Sequence, residues 1–270
     1  MGSSDMTRVL PWVALCYHDV GPGARALGGG PGRFSVPLDA FELMLDAIAG
    51  HGMRGCSLAR AIEDGSRPQV AITFDDANLG QYLYAMPALR ARGMTATVYA
   101  CIDWVGQPGY MTWAQLREIA SWGMSVQSHS WSHPFLSECD APRLERELSD
   151  SKKEIDDELG QDTSEIAFPG GDPPARHLRH MIAEAGYRTP VGTRWGVNAG
   201  PPEAGRFVKR CTVRGPLSRE LAERYVRADA GLAWRNHPKE FVLRGLRAAL
   251  GPSRYARWRR DVLDVLRPAR

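Results

Sequence analysis

The chain has 270 residues, 43% hydrophobic and 24% charged, and its 34 lysines and arginines against 31 aspartates and glutamates leave a formal charge of +3. That length and balance supply a substantial buried core and exclude a disordered or fibrous chain. No apolar run approaches the roughly 18 residues that span a bilayer, and the opening MGSSDMTRVLPW lacks a signal-peptide core, so the expectation is a cytoplasmic protein with no membrane span.

From the N-terminus, Val13 to Tyr17 reads as a strand and the Gly/Pro-rich stretch Gly21 to Gly32 as a loop. Pro37 to Gly50 brings Phe41, Leu45 and Ile48 to roughly one helical face. Val70 to Phe74 is a strand, Leu79 to about Arg92 a helix, and Thr95 to Tyr99 the next strand. Met111 to Trp122 holds a helix whose start Thr112 and Gln115 mark with a capping box. Met124 to Gln127 is again a strand, and the charged stretch Ala141 to Leu159 a long surface helix. Ile166 to Phe168, Pro173 to Ala185 and Thr189 to Val191 continue as strand, helix and strand. The alternation predicts an α/β sheet with crossover helices, open or closed into a barrel.

A second Gly/Pro break, Gly200 to Gly205, precedes Phe207 to Val213, and the remainder is mainly helical. We divide the chain into a core, 1–213, and a helical extension packed on it, 214–270. Between Phe241 and Arg270 eight arginines face only Asp261 and Asp264. With no nucleic-acid motif beside them, they read as the solvated side of terminal helices, and no nucleic-acid partner is expected. Cys16, Cys56, Cys101, Cys139 and Cys211 are scattered and odd in number, which predicts buried free thiols.

Two clusters carry chemistry. Asp75 and Asp76 follow the apolar run Val70 to Phe74, at the carboxyl edge where sheets and barrels place ligands. Consecutive side chains near a strand end diverge, so one carboxylate can hold a metal while the other faces water; a turn or helix cap is the plainer alternative. His129-Ser130-Trp131-Ser132-His133 spaces two imidazoles by four, and one helical turn would bring them together. It lacks the internal glutamate of the HExxH motif, so a general base must come from elsewhere, and Asp75 is the candidate. Asp76, His129 and His133 would then supply three ligands and leave a position for water, as in a catalytic centre. In Leu15-Cys16-Tyr17-His18-Asp19, His18 is either a histidine paired with Asp19 or backbone, or an acid facing the metal.

Thr73-Phe74-Asp75-Asp76 and His129-Ser130-Trp131-Ser132-His133, with Ala167-Phe168-Pro169-Gly170-Gly171 as a third element, resemble the signatures of the polysaccharide deacetylases, the NodB-homology or carbohydrate esterase 4 family. The resemblance runs from about Pro11 to Val213 and implies a distorted (β/α) barrel. It implies Asp75 as base, Asp76, His129 and His133 as metal ligands, and one divalent metal, zinc first, with cobalt, nickel or iron as alternatives. The family's late leucine-histidine motif is missing, and His237 has the wrong surroundings. Tyr17-His18 instead resembles the circularly permuted poly-N-acetylglucosamine deacetylases, which implies His18 as the acid. Ala167 stands where many members have the arginine that holds the base, so the metal or Arg194 is expected to control Asp75. Gly170 would offer a backbone N–H to the oxyanion, and Trp131, Trp195, Tyr17 and Arg194 the contacts to a sugar.

The function this implies is a metal-dependent hydrolase that removes an N-acetyl group from an amino-sugar conjugate. The absent signal-peptide core favours a small intracellular conjugate or biosynthetic intermediate over a long polymer. Hydrolysis of another C–N bond or of an O-acetyl ester is the neighbouring alternative, and a noncatalytic carbohydrate-binding module the distant one.

Overall fold

A computed structural model describes residues 10–22, 34–64, 69–200, 205–229 and 231–232. In chain order its elements are β1 (Pro11–Tyr17), β2 (Asp19–Gly21), β3 (Ser35–Pro37), α1 (Leu38–Gly50), β4 (Arg54–Cys56), α2 (Leu58–Glu63) and β5 (Gln69–Asp75). There follow α3 (Met86–Ala91), β6 (Thr97–Ala100), α4 (Trp113–Ser121), β7 (Ser125–Ser128), α5 (Ala141–Glu145), α6 (Ser151–Leu159) and β8 (Glu165–Ala167). The last are α7 (His180–Glu184), β9 (Thr189–Val191), β10 (Asn198–Ala199), β11 (Cys211–Thr212) and α8 (Arg219–Val226).

The main sheet runs β10-β1-β5-β6-β7-β8-β9, with β4 also on β5 and β11 also on β1. All its pairings are parallel except β1 with β10. Strands covered on both faces need near-continuous apolar sequence, which β1 and β5 have. The segment around Val208 to Thr212 curls this sheet: Val208 bridges Val191 of β9, and Cys211 and Thr212 pair with β1. The result is the distorted (β/α) barrel expected from the sequence.

Side chains alternate across each strand, and Trp12, Ala14, Ala71, Tyr99, Ala167, Val191 and Val208 meet in one buried cluster. Outside, α1 buries Phe41, Met44, Leu45 and Ile48 against the sheet side and packs against α8. A second cluster gathers Leu144, Leu148, Ile166, Phe168 and Ile182. The capping box holds: Thr112 Oγ1 accepts from the Gln115 N–H, and the Gln115 side chain accepts from the Thr112 N–H.

Three predicted helices are interrupted, and Ala141 to Leu159 is α5 and α6 joined through a π-helical turn, Arg146–Asp150. Leu79 to Arg92 contains a π-helical turn, Gln81–Ala85, because Pro87 has no N–H to give the Leu83 carbonyl. Pro173 to Ala185 is only a short turn, Arg176–Leu178, and α7, since consecutive prolines keep the chain extended at its start.

The described residues up to Ala228 belong to one compact unit, and a second begins at Asp229. The loop from residue 23, His237 and the arginine-rich segment lie outside the described residues. All five cysteines are free and buried, as expected. Among the described residues no helix is long and apolar enough to cross a membrane.

Gly80, just after β5, leaves no room for a methyl group, which would run into Asp19 Oδ1 and the Val20 carbonyl oxygen. Gly80→Ala is expected to lose about 1–3 kcal/mol of stability by overpacking. Urea unfolding checks this, and a wild-type midpoint would contradict the packing.

Candidate metal centre and its acid and base

The carboxyl ends of β5, β7 and β8 bring the motif residues together. Asp75 ends β5 on its inner face, whereas Asp76 has φ 73°, and this left-handed turn sends the second carboxylate elsewhere. Asp76 Oδ1 lies 3.4 Å from His129 Nε2 and 3.6 Å from His133 Nε2. The three ligand atoms are all within 4.8 Å of one another. The histidine segment is a bent loop and not the helical turn expected, for Ser130 and His133 take φ 67° and 59°.

His129 Nδ1 is 2.8 Å from the Ala167 carbonyl oxygen. A carbonyl only accepts, so the proton sits on Nδ1 and the Nε2 lone pair faces Asp76. Burial, opposed by the Asp75 charge, pushes His129 down to about 3 and also lowers His133, leaving both imidazoles neutral. Burial and then the neighbouring Asp75 charge raise Asp76 to about 7. Asp76 Oδ1 is buried with no hydrogen-bond partner. An unsatisfied carboxylate oxygen facing the Nε2 atoms of two imidazoles, one of them with its lone pair toward it, fits a divalent cation in a three-ligand, open centre, and the N, N, O donor set suits zinc, cobalt, nickel or iron.

Asp75 is gripped by a residue that motif reading missed. The fully buried Arg210 donates from Nη1 to Asp75 Oδ1 at 2.6 Å and from Nη2 to Oδ2 at 2.9 Å. Its Nε donates to the Gly192 carbonyl at 2.9 Å, and Nη1 also reaches Thr73 Oγ1 at 3.2 Å. Burial alone would raise the Asp75 carboxyl, but the guanidinium outweighs it and holds the group well below the usual carboxylate range. Arg210 shares the inward face of its segment with Val208, two residues back. Arg194, the side chain expected in this role, is exposed. The available signal was a lone arginine inside the strand-like run Phe207 to Val213.

His18 follows β1, with its ring stacked 4.6 Å from Phe34. Burial pushes it down to about 4 against the opposing Asp75 charge, so the ring is neutral at rest. The Gln81 amide donates to the His18 carbonyl at 2.5 Å and to the Asp75 carbonyl at 2.7 Å, tying the two strand ends together.

The aromatic expectations need one correction. Tyr17 is fully buried between Phe41 and Phe74 and offers no face to a sugar, because its side of β1 meets α1. Trp195 leans on Tyr225, 5.4 Å away. Trp131 lines a cavity of about 280 Å³ with Arg143, Arg146 and Glu147. Trp104 stacks on His133 at 4.6 Å and is the aromatic face next to a ligand. Gly170, φ 60°, lies in the exposed turn after β8, where a side chain would strike Phe135.

Residues 63–190 match the polysaccharide deacetylase family. YxkH of Bacillus subtilis, which bears the name of a polysaccharide deacetylase, is 28% identical over 188 residues, 67% of this chain and 64% of its own length. The chain therefore spans less than two thirds of that relative. Among solved structures, the Streptococcus pyogenes deacetylase PplD, in complex with acetate, has a TM-score of 0.69 at 24% identity, covering 80% of this chain and 98% of its own. IcaB of Ammonifex degensii has 0.63 at 22%, covering 83% and 99%. These likenesses show the fold.

With His129 pushed down to about 3 and His133 lowered, Asp76, raised to about 7, is the candidate ligand whose proton must leave near neutral pH. Zinc affinity is expected to be flat above pH 7 and to fall about tenfold per unit below it, with a proton released on binding. Calorimetry in buffers of different ionisation heat checks this, and a pH-independent affinity from pH 5 to 7 would contradict it. Separately, Arg210→Met leaves a buried carboxylate without its partner and is expected to cost about 3–5 kcal/mol, read by denaturant unfolding.

Proposed function

We propose that the chain, whose residues 63–190 match the polysaccharide deacetylase family, is a metal-dependent N-deacetylase that releases acetate from an N-acetylated amino sugar. The observation that carries this reading is the convergence of Asp76, His129 and His133 beside an Asp75 kept ionised by Arg210.

A divalent cation held by Asp76, His129 and His133 would polarise the acetyl carbonyl and acidify an attacking water. Asp75 accepts the proton of that water. Arg210 fixes the orientation of its carboxylate; Oδ2 also accepts from the Cys16 thiol at 3.4 Å, while Oδ1 keeps a lone pair beyond the one that the guanidinium takes. Low basicity is the cost of this grip, and position compensates for it.

Departure of the amine needs a proton, since an amide anion leaves poorly. His18, neutral at rest, would receive the proton that Asp75 has taken from the water and, with its lowered pKa, pass it readily to the nitrogen, which returns Asp75 to its ionised form. That acid is what favours an amide over an O-acetyl ester. The Gly170 N–H is proposed as an oxyanion donor and Trp104 as the wall beside the acetyl group. Trp131, Trp195 and Arg194, all at least partly exposed, are proposed to contact the rest of the substrate.

The test is mass spectrometry of products from the zinc-loaded chain with a panel of nucleotide sugars, other N-acetylated conjugates and chitooligosaccharides. Free amine plus acetate is expected. Asp75→Asn should keep zinc and lose about 10²–10⁴ in kcat, while His129→Ala should lose the metal. Full activity in both variants, or acetate accompanied only by an alcohol, would overturn the reading.

A further inference from the structure

The loop that carries His129 and His133 is strained, with two non-glycine residues at positive φ, yet each of its N–H groups is satisfied. His129 N–H donates to the Ala100 carbonyl at 2.9 Å, Ser130 N–H to Ser128 Oγ at 3.1 Å, and His133 N–H to Ser130 Oγ at 3.1 Å. The remaining two, Trp131 N–H and Ser132 N–H, both donate to Glu147 Oε2, at 3.0 and 2.9 Å. The Ser132 hydroxyl donates to Glu147 Oε1 at 2.5 Å. Two successive N–H groups converging on one carboxylate oxygen form a nest for an anion, and here the anion belongs to the chain itself.

Glu147 is buried, with 4% of its surface exposed, and sits in the π-helical turn Arg146–Asp150 between α5 and α6. Ser151, at the start of α6, donates to the Glu147 carbonyl at 2.7 Å and lies 2.9 Å from Ser128 Oγ, the acceptor for Ser130. Helix and loop are thus fastened at two points, on either side of the bend that aims His133.

We propose that Glu147 is a positioning residue for the metal centre: its carboxylate holds the backbone of Trp131 and Ser132 so that His133 meets Asp76 and His129 before any ion arrives. The inference rests on the metal reading above. Without the clamp, part of the binding energy goes into bending the loop, and affinity falls.

The experiment is a competition titration of the full-length apo chain with zinc against a chromophoric chelator, alongside the cobalt absorption spectrum and a thermal melt of each apo variant. Glu147→Ala is expected to bind zinc about 10–100-fold more weakly, as other supporting contacts to metal ligands do, with a weaker tetrahedral cobalt band. Glu147→Gln keeps an acceptor for both N–H groups and is expected to bind almost as wild type. If Glu147→Ala does not fold, Glu147→Asp, which withdraws the carboxylate by one methylene, is expected to show the same loss. Unchanged affinity in Glu147→Ala or Glu147→Asp overturns the clamp and leaves the metal centre standing. Loss in Glu147→Gln as large as in Glu147→Ala overturns it too, because charge and not the loop contacts would then be responsible. A wild-type chain that takes up no zinc defeats the metal reading itself.

Discussion

The bidentate pair of Arg210 and Asp75 joins the segment that curls the barrel to β5, and much else follows from it. Two ions have been taken from water, and the cost is offset only because the guanidinium is also satisfied by Gly192 and Thr73. Arg210 can reach Asp75 only where the chain from Val208 to Thr212 crosses from β9 to β1. Barrel curvature and the ionisation state of Asp75 are therefore one constraint. That fixed negative charge, together with burial, is what raises Asp76 toward neutrality and makes a cation the natural companion of its orphaned oxygen.

The fold was legible because parallel strands buried on both faces must be written as apolar runs, and β1, β5, β6 and β7 were found within a residue or two of their bounds. The motif carboxylates and imidazoles were legible as types at spacings that suit a metal. How they converge was not: the histidine loop bends through two left-handed residues that no local propensity announces. Arg210 lies 135 residues from Asp75, and nothing near either residue marks the pairing. Tyr17 was misread as a sugar contact because strand alternation does not say which helix will cover an aromatic ring. The broken helix after Asp76 was foreseeable from Pro87, whose missing N–H opens the turn that holds Gln81.

Gln81 and the Ala167 carbonyl show how little of this centre depends on the motif side chains alone. One buried amide spans the strand ends that carry His18 and Asp75, and one carbonyl at the end of β8 sets the tautomer of His129. The position that held an arginine in the expected pattern here contributes its backbone. The grip on Asp75 comes instead from Arg210, beside β11, which holds a dry carboxylate near the two imidazoles.

X-ray absorption at the zinc edge of the metal-loaded chain bears most directly on this account, since it reads the ligands and not the turnover. The expected shell has two imidazole nitrogens and oxygen at about 2.0–2.1 Å, with the multiple scattering of histidine and no sulfur. A sulfur neighbour at about 2.3 Å, drawn from any of the five cysteines, or a shell without imidazole would contradict it.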